Sequence, residues 1–220
     1  AADTLEQAEN ALDLIHVEYE ELSAVFDPIA AVQEGAPIVH PEVASYQGLP
    51  APLDHPTNRF VHDLFTRGDV EVGFKQTDVV VVENTFTVAR VHQSFIEPHC
   101  CLVSIDEQER VQMWSPNKVP HGLKQSMAQA FSIPKESIRV NPVSIGGDFG
   151  GKGAPIDEPV CYLLALRSRR PVKMVMEYRE EFFAGAPRHA AIIKLKTGVK
   201  RGGTIVAHQM GAYLAARAHG

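Results

Sequence analysis

Eight consecutive residues, Gly146, Gly147, Asp148, Phe149, Gly150, Gly151, Lys152 and Gly153, constrain this chain's fold more than any other stretch. They follow Ile138, Val140, Val143 and Ile145, an apolar alternation that reads as a strand. A strand ending in this run spills into a loop nearly free of side-chain bulk, where backbone N–H groups approach a ligand closely. Unpaired amides attract phosphate or another oxyanion without charged side chains, so the loop suits an anionic cofactor. The same glycines equally mark a tight turn or close packing between backbones.

A nucleotide P-loop is the nearest motif by spacing. Gly146, Gly151 and Lys152 satisfy G-x-x-x-x-G-K, but Gly153 stands where Ser or Thr must hold magnesium. Pro155 and Pro159 also delay the helix that a phosphate cradle needs directly behind its glycines. The run is therefore not an ATPase loop.

The 220 residues are enough for one large or two small domains. The balance of 21 basic against 27 acidic residues gives −6, which disfavours nucleic acid or an anionic membrane as the main partner. No apolar stretch approaches the ~20 residues of a membrane span, and the acidic N-terminus lacks a signal-peptide pattern. Cys100, Cys101 and Cys161 lack C-x-x-C spacing and read as buried free thiols. Their odd number and the missing export signal point to a reducing cytoplasm.

Residues 3–14 read as an amphipathic helix, capped by Asp3 with Glu6 or Thr4 with Gln7. Ile15, Val17 and Tyr19 alternate as a half-buried strand, so residues 1–26 look like the tail of a small α/β domain. Prolines at 28, 37, 41, 50, 52 and 56 break every pattern in residues 27–68, which read as an ordered wrapping connector or a flexible linker. From Asp69 onward a third region is predicted. It opens a strand at Val79, forms a hairpin across Glu107, Gln108 and Glu109, and continues into a helix with Leu123, Met127, Ala130 and Phe131 on its core face. After the glycine run come a short helix facing inward through Val160, Leu163 and Leu164, and strands at about 171–178, 189–198 and 203–214. Strand runs with a few helices indicate an α+β fold of mixed sheets.

The glycine run resembles the GGGFGGK loop of the molybdenum hydroxylases, the xanthine dehydrogenase and aldehyde oxidase family, in the portion that binds molybdopterin. Other segments similar to the family follow its order: Glu97, Pro98 and His99; Trp114 and Ser115; Pro120, His121 and Gly122; Arg170 to Lys173; Tyr178 to Glu181; Arg188 and His189; and Thr204 to Ala207. The resemblance implies a molybdopterin-binding domain whose first part is residues 69–220. Its molybdenum is held by the pterin's sulfurs, and it inserts water-derived oxygen into an aldehyde or N-heterocycle. It also implies partners: the remaining part of the large subunit, and iron–sulfur and flavin subunits carrying iron–sulfur clusters and FAD. The segment with the family's catalytic glutamate has no counterpart here, so the expectation is a fragment or one piece of a split large subunit, catalytically inert alone.

Carried over by position, the resemblance gives Gly147, Phe149, Gly150, Gly151 and Lys118 as cofactor-binding residues, with no catalytic residue and no metal ligand in this chain. Phe149 and Gly150 match positions whose backbone approaches the metal's ligands, and Gly147 and Gly151 shape the loop. Asp148 replaces a third glycine; it needs a negative or left-handed φ, and its carboxylate is expected to point away from an anionic pterin phosphate. Lys118 falls where the family has a glutamine contacting a metal oxygen. Three readings stay open: the ammonium reaches the metal centre, Asn117 serves in its place, or Lys118 is solvated. Gly153 takes the place of a glutamate of xanthine-acting members, which argues against a purine substrate. Arg179, Arg188, His99, His121 and His189 read as structural or exposed. The alternative to a hydroxylase portion is a non-catalytic scaffold or assembly subunit with a degraded cofactor site.

Overall fold

The computed structural model describes residues 2–46, 49 and 51–215, and the chain divides into two compact units after Arg67. In the first unit, α1 (Leu5–Leu12) starts because Thr4 Oγ1 accepts from the Gln7 amide at 3.2 Å and Gln7 Oε1 accepts from the Asp3 amide at 3.2 Å. Two backbone donors at the helix start are thus satisfied reciprocally. The strand expected from Ile15, Val17 and Tyr19 is not formed, and all three side chains are exposed. Alternation sets the faces of a strand, but the strand itself needs a hydrogen-bonded neighbour, and no described residue pairs with this segment. The proline-rich stretch folds on itself around Asn58. That side chain donates to Ala31 O at 2.9 Å and Pro37 O at 2.8 Å and accepts from Val39 N at 2.9 Å.

The second unit has the mixed sheets and few helices of an α+β fold. Its larger sheet contains β2 (Cys100–Ile105), β3 (Val111–Ser115), β4 (Ile138–Pro142) and β5 (Val172–Val175) in the order β4-β3-β2-β5. β2 runs antiparallel to β3 and β5, and β3 parallel to β4. Alternate residues Cys101 and Val103 on β2, and Val111 and Met113 on β3, point to one face. That face is covered by α3 (Pro120–Phe131) and α4 (Glu158–Ser168). Leu123, Met127, Ile138, Cys161, Tyr162 and Ala165 complete the core, each large apolar side chain adding about 1.5–3 kcal/mol.

Several expectations about faces and limits are corrected. Ala130 is exposed, and Ala128 packs on the core with Phe131. On α4 the inward face is Cys161, Tyr162 and Ala165, while Val160, Leu163 and Leu164 are 43–49% exposed. The small Cys161 and Ala165 side chains let this helix approach the sheet closely, and Tyr162 packs its ring 4.6 Å from that of Phe131. Val143 and Ile145 lie beyond the end of β4 at Pro142. The strand expected over 171–178 stops at Val175 and is followed by α5 (Tyr178–Ala184), opened by a capping box between Glu177 and Glu180. The three cysteines are free, with Cys101 and Cys161 buried and Cys100 only half-buried.

The smaller sheet has the order β1-β6-β7, from β1 (Val79–Val88), β6 (Ala191–Lys200) and β7 (Ile205–Leu214), all antiparallel. A one-turn helix, α2 (Val70–Phe74), lies on β7 because Gly73 has no side chain. A Cβ there would sit 2.6 Å from Val206 O and 2.8 Å from Ala207 Cβ.

Candidate functional site

Parallel strands β3 and β4 point their C-terminal ends the same way. The segment after β3 brings Asn117 and Lys118 to that end, and the segment after β4 brings the glycine run. The two are tied by a backbone hydrogen bond from Lys118 N to Lys152 O, 3.0 Å. The crevice beyond the carboxyl ends of strands is where open sheets with parallel strands place ligands.

Phe95 is the floor of the loop. It is 1% exposed, with its ring 4.7 Å from Lys152 Nζ and its centroid 5.2 Å from that of His92 and 5.6 Å from that of His99. A Cβ on Gly151 would lie 2.6 Å from Phe95 Cε1, one on Gly147 2.8 Å from Phe95 Cβ, and one on Gly146 2.7 Å from Glu97 Cβ. These three glycines permit close packing. Gly150 differs: its φ is +98° and a Cβ there would meet nothing within 4 Å, so the backbone conformation and not the space requires glycine. Phe149, at φ +44°, turns its side chain outward and is 64% exposed.

Lys152 does not reach outward as a P-loop lysine does. It is 1% exposed and donates to Glu97 Oε2 at 2.6 Å, while the same oxygen accepts from Gly146 N at 2.8 Å. Burial raises the Glu97 carboxyl pKa, but the Lys152 and Gly146 hydrogen bonds outweigh it and leave it below the usual glutamate range.

Asp148 organises the other half of the loop with its φ outside the left-handed region. Its carboxylate accepts from Gly150 N at 3.0 Å and Lys152 N at 2.5 Å, and Lys118 Nζ lies 3.0 Å from Oδ2. Burial acts upward on its pKa, and these partners outweigh it downward. Lys118 is therefore ion-paired with 42% of its side chain still exposed, and Asn117 Oδ1 is occupied by the Val119 amide at 2.8 Å. The amides of Gly146, Gly150, Gly151 and Lys152 are consumed inside the protein. Those of Gly147, Asp148 and Phe149 have no hydrogen-bond partner among the described residues. Three consecutive open donors beside a side-chain-free corner fit an anionic, acceptor-rich group.

Behind the floor, His99 Nδ1 donates to fully buried Glu181 Oε1 at 2.6 Å, and His99 N donates to Glu181 Oε2 at 2.7 Å. From α5, the Tyr178 hydroxyl donates to the carbonyls of Phe95 and Ile96. Arg188 Nη2 approaches Phe149 O at 3.5 Å, joining the loop to the start of β6. His121 and His189 take no part here; His189 Nδ1 bonds Ala215 O at 2.8 Å. Sequence reasoning missed Phe95 and the Glu97–Lys152 pair. The only available signal was opposite charge in two segments that both carry the resemblance.

The described residues contain no His, Cys, Asp or Glu group able to hold a metal ion. No helix among them is long and apolar enough to cross a membrane.

A family profile described as "Molybdopterin cofactor-binding domain" matches residues 53–219. The chain is 34% identical over 212 residues to a probable xanthine dehydrogenase subunit of Bacillus subtilis (strain 168), covering 96% of this chain and 26% of that protein. It is 30% identical over 210 residues to the nicotinate dehydrogenase large molybdopterin subunit of Eubacterium barkeri, covering 96% of this chain and 46% of the relative. Among solved structures, the aldehyde oxidoreductase from Desulfovibrio gigas matches with a TM-score of 0.81 at 24% identity, over 96% of this chain and 22% of that one. The chain thus spans between about a quarter and under half of the length of these curated relatives.

Proposed function

Since the chain belongs to the molybdopterin cofactor-binding domain family of the molybdenum hydroxylases, we propose that residues 147–151 line the molybdopterin site of an oxidoreductase acting on an aldehyde or N-heterocycle. The observation that carries this reading is the run of open amides at Gly147, Asp148 and Phe149 next to the bare corner at Gly150. When bound, the molybdenum cofactor supplies the redox centre for oxygen transfer from water to carbon. The residues of this chain hold and orient. The open amides donate to the cofactor's acceptor atoms, and Gly150 lets the backbone approach. Gly147 and Gly151 set the loop down on Phe95, and Phe149 presents its ring toward the ligand side. The paired charges Glu97 with Lys152 and Asp148 with Lys118 leave the loop neutral, so amide dipoles attract the anion. No residue here is assigned as the general base.

In this reading residues 69–220 form the first part of the molybdopterin-binding domain, 27–68 a connector, and 1–26 the tail of a preceding small domain. The base-bearing remainder of the large subunit and the iron–sulfur and flavin subunits are the proposed partners, with the cytoplasm as the compartment. Molybdenum and pterin analysis of the intact native complex tests the proposal. The expected result is both in stoichiometric amount, with Gly150→Val losing pterin while the subunit stays folded, because a β-branched residue resists a positive φ. Absence of both from an active, undissociated complex overturns it in favour of a non-catalytic scaffold. Full pterin retention by Gly150→Val with a lowered melting temperature rejects the loop assignment.

A further inference from the structure

We propose that Lys118, Asp148 and Gly153 act as one latch. In it Lys118 is a positioning residue that, through Asp148, holds the Phe149–Gly150 corner in its left-handed conformation and cancels the carboxylate's charge toward the anionic cofactor. The inference deepens the molybdopterin reading and rests on it.

The three positions interlock. Asp148 sits at the centre of the loop and bonds the amides two and four residues ahead, which closes the corner at Phe149 and Gly150. A non-glycine residue such as Phe149 keeps a positive φ only where its surroundings over-determine it, and these two bonds do so. The carboxylate carries a full negative charge within the same loop as the open amides, so without compensation it opposes an anionic ligand. Lys118 supplies the compensation at 3.0 Å. Its chain runs over Gly153, where a Cβ would stand 3.1 Å from Lys118 Cε and 3.9 Å from Nζ, so a side chain at that position presses on the end of the lysine's methylene stem. The bond from Lys118 N to Lys152 O fixes the register between the two segments.

The test uses the native complex in wild-type, Lys118→Gln, Lys118→Arg, Asp148→Asn and Lys118→Gln/Asp148→Asn forms. Pterin content per subunit, the rate of pterin loss on dilution at low and high salt, and melting temperature are read on each. Lys118→Gln is expected to speed pterin loss on the order of tenfold, the scale of one uncompensated charge at a partly exposed site. Lys118→Arg is expected to restore retention, and neutralising Asp148 in the double variant, which keeps an oxygen to accept from the corner amides, to relieve the defect of Lys118→Gln. High salt is expected to shrink the difference. A lysine of merely structural importance would shift the melting temperature without salt dependence or relief by the second substitution. Wild-type retention in Lys118→Gln, or a double variant as leaky as Lys118→Gln, overturns the latch while leaving the cofactor site standing. A wild-type complex without pterin removes the cofactor reading and the latch together.

Discussion

Lys152 is buried with its ammonium 2.6 Å from Glu97 Oε2, so the lysine of the glycine run anchors the loop to the protein and does not face solvent. The two partners are unequal, Lys152 being 1% exposed and the Glu97 side chain 32%. Glu97→Gln strands a buried cation and is expected to cost about 3 kcal/mol. Lys152→Met removes that cation and leaves a carboxylate that water reaches, so it is expected to cost less. Urea unfolding of both variants checks the order. The folded Glu97 carboxyl lies below its unfolded value, so its contribution is present above about pH 4.3 and is lost as pH falls below it. Acid titration of the wild type against Glu97→Gln reads that loss.

Gly150 and Gly151 are adjacent yet intolerant of a side chain for different reasons. Gly151→Ala drives a methyl against Phe95, which the neighbouring rings confine, and is expected to destabilise by about 1–3 kcal/mol through overpacking. Gly150→Ala meets no atom but carries a positive φ, at a cost of roughly 1–2 kcal/mol. Phe95→Leu is therefore expected to relieve Gly151→Ala in a double-mutant cycle and to leave the cost of Gly150→Ala unchanged. Equal coupling to both glycines would refute the distinction.

Asp157 produces a pH dependence of opposite sign. It precedes α4, its side chain caps nothing, and both carboxylate oxygens are buried with the weakly donating Cys101 thiol as the one side chain that favours their charge by hydrogen bonding among the described residues. Burial first and then the charge of Glu158 push its carboxyl up to about 6. The folded chain holds this proton to higher pH than the unfolded one, so stability falls as pH rises from about 4 to 6. The difference in unfolding free energy between Asp157→Asn and wild type is expected to grow by about 2–3 kcal/mol across that window in favour of the variant. A flat difference would show that Asp157 stays ionised.

The β1-β6-β7 sheet exposes Val80, Val82, Phe86, Val88, Met210 and Leu214, each between 47% and 65%. Its outer strands β1 and β7 pair on one side only among the described residues. Open edges and apolar side chains together favour association. The isolated chain is expected to sediment as more than a monomer at micromolar concentration, and Val80→Lys with Phe86→Lys to shift it toward monomer. A wild-type chain that sediments as a clean monomer would contradict this.

By itself the sequence determined what depends on near neighbours. The Thr4 cap, the hairpin across residues 107–109, the final hairpin and the bulk-free loop all follow from contacts within a few positions along the chain. It also carried the family, through segments retained in order. Tertiary structure decided which faces are buried and which charges meet. Residues 15–19 alternate like a strand but pair with no neighbour among the described residues, and α4 is apolar on both sides, so only its fit to the sheet selects Cys161, Tyr162 and Ala165. Lys118 finds Asp148 across 30 residues, Lys152 finds Glu97 across 55, and Glu181 finds His99 across 82. Such pairings depend on strand order and register, which bring distant segments to one end of a sheet, and no local periodicity encodes that geometry.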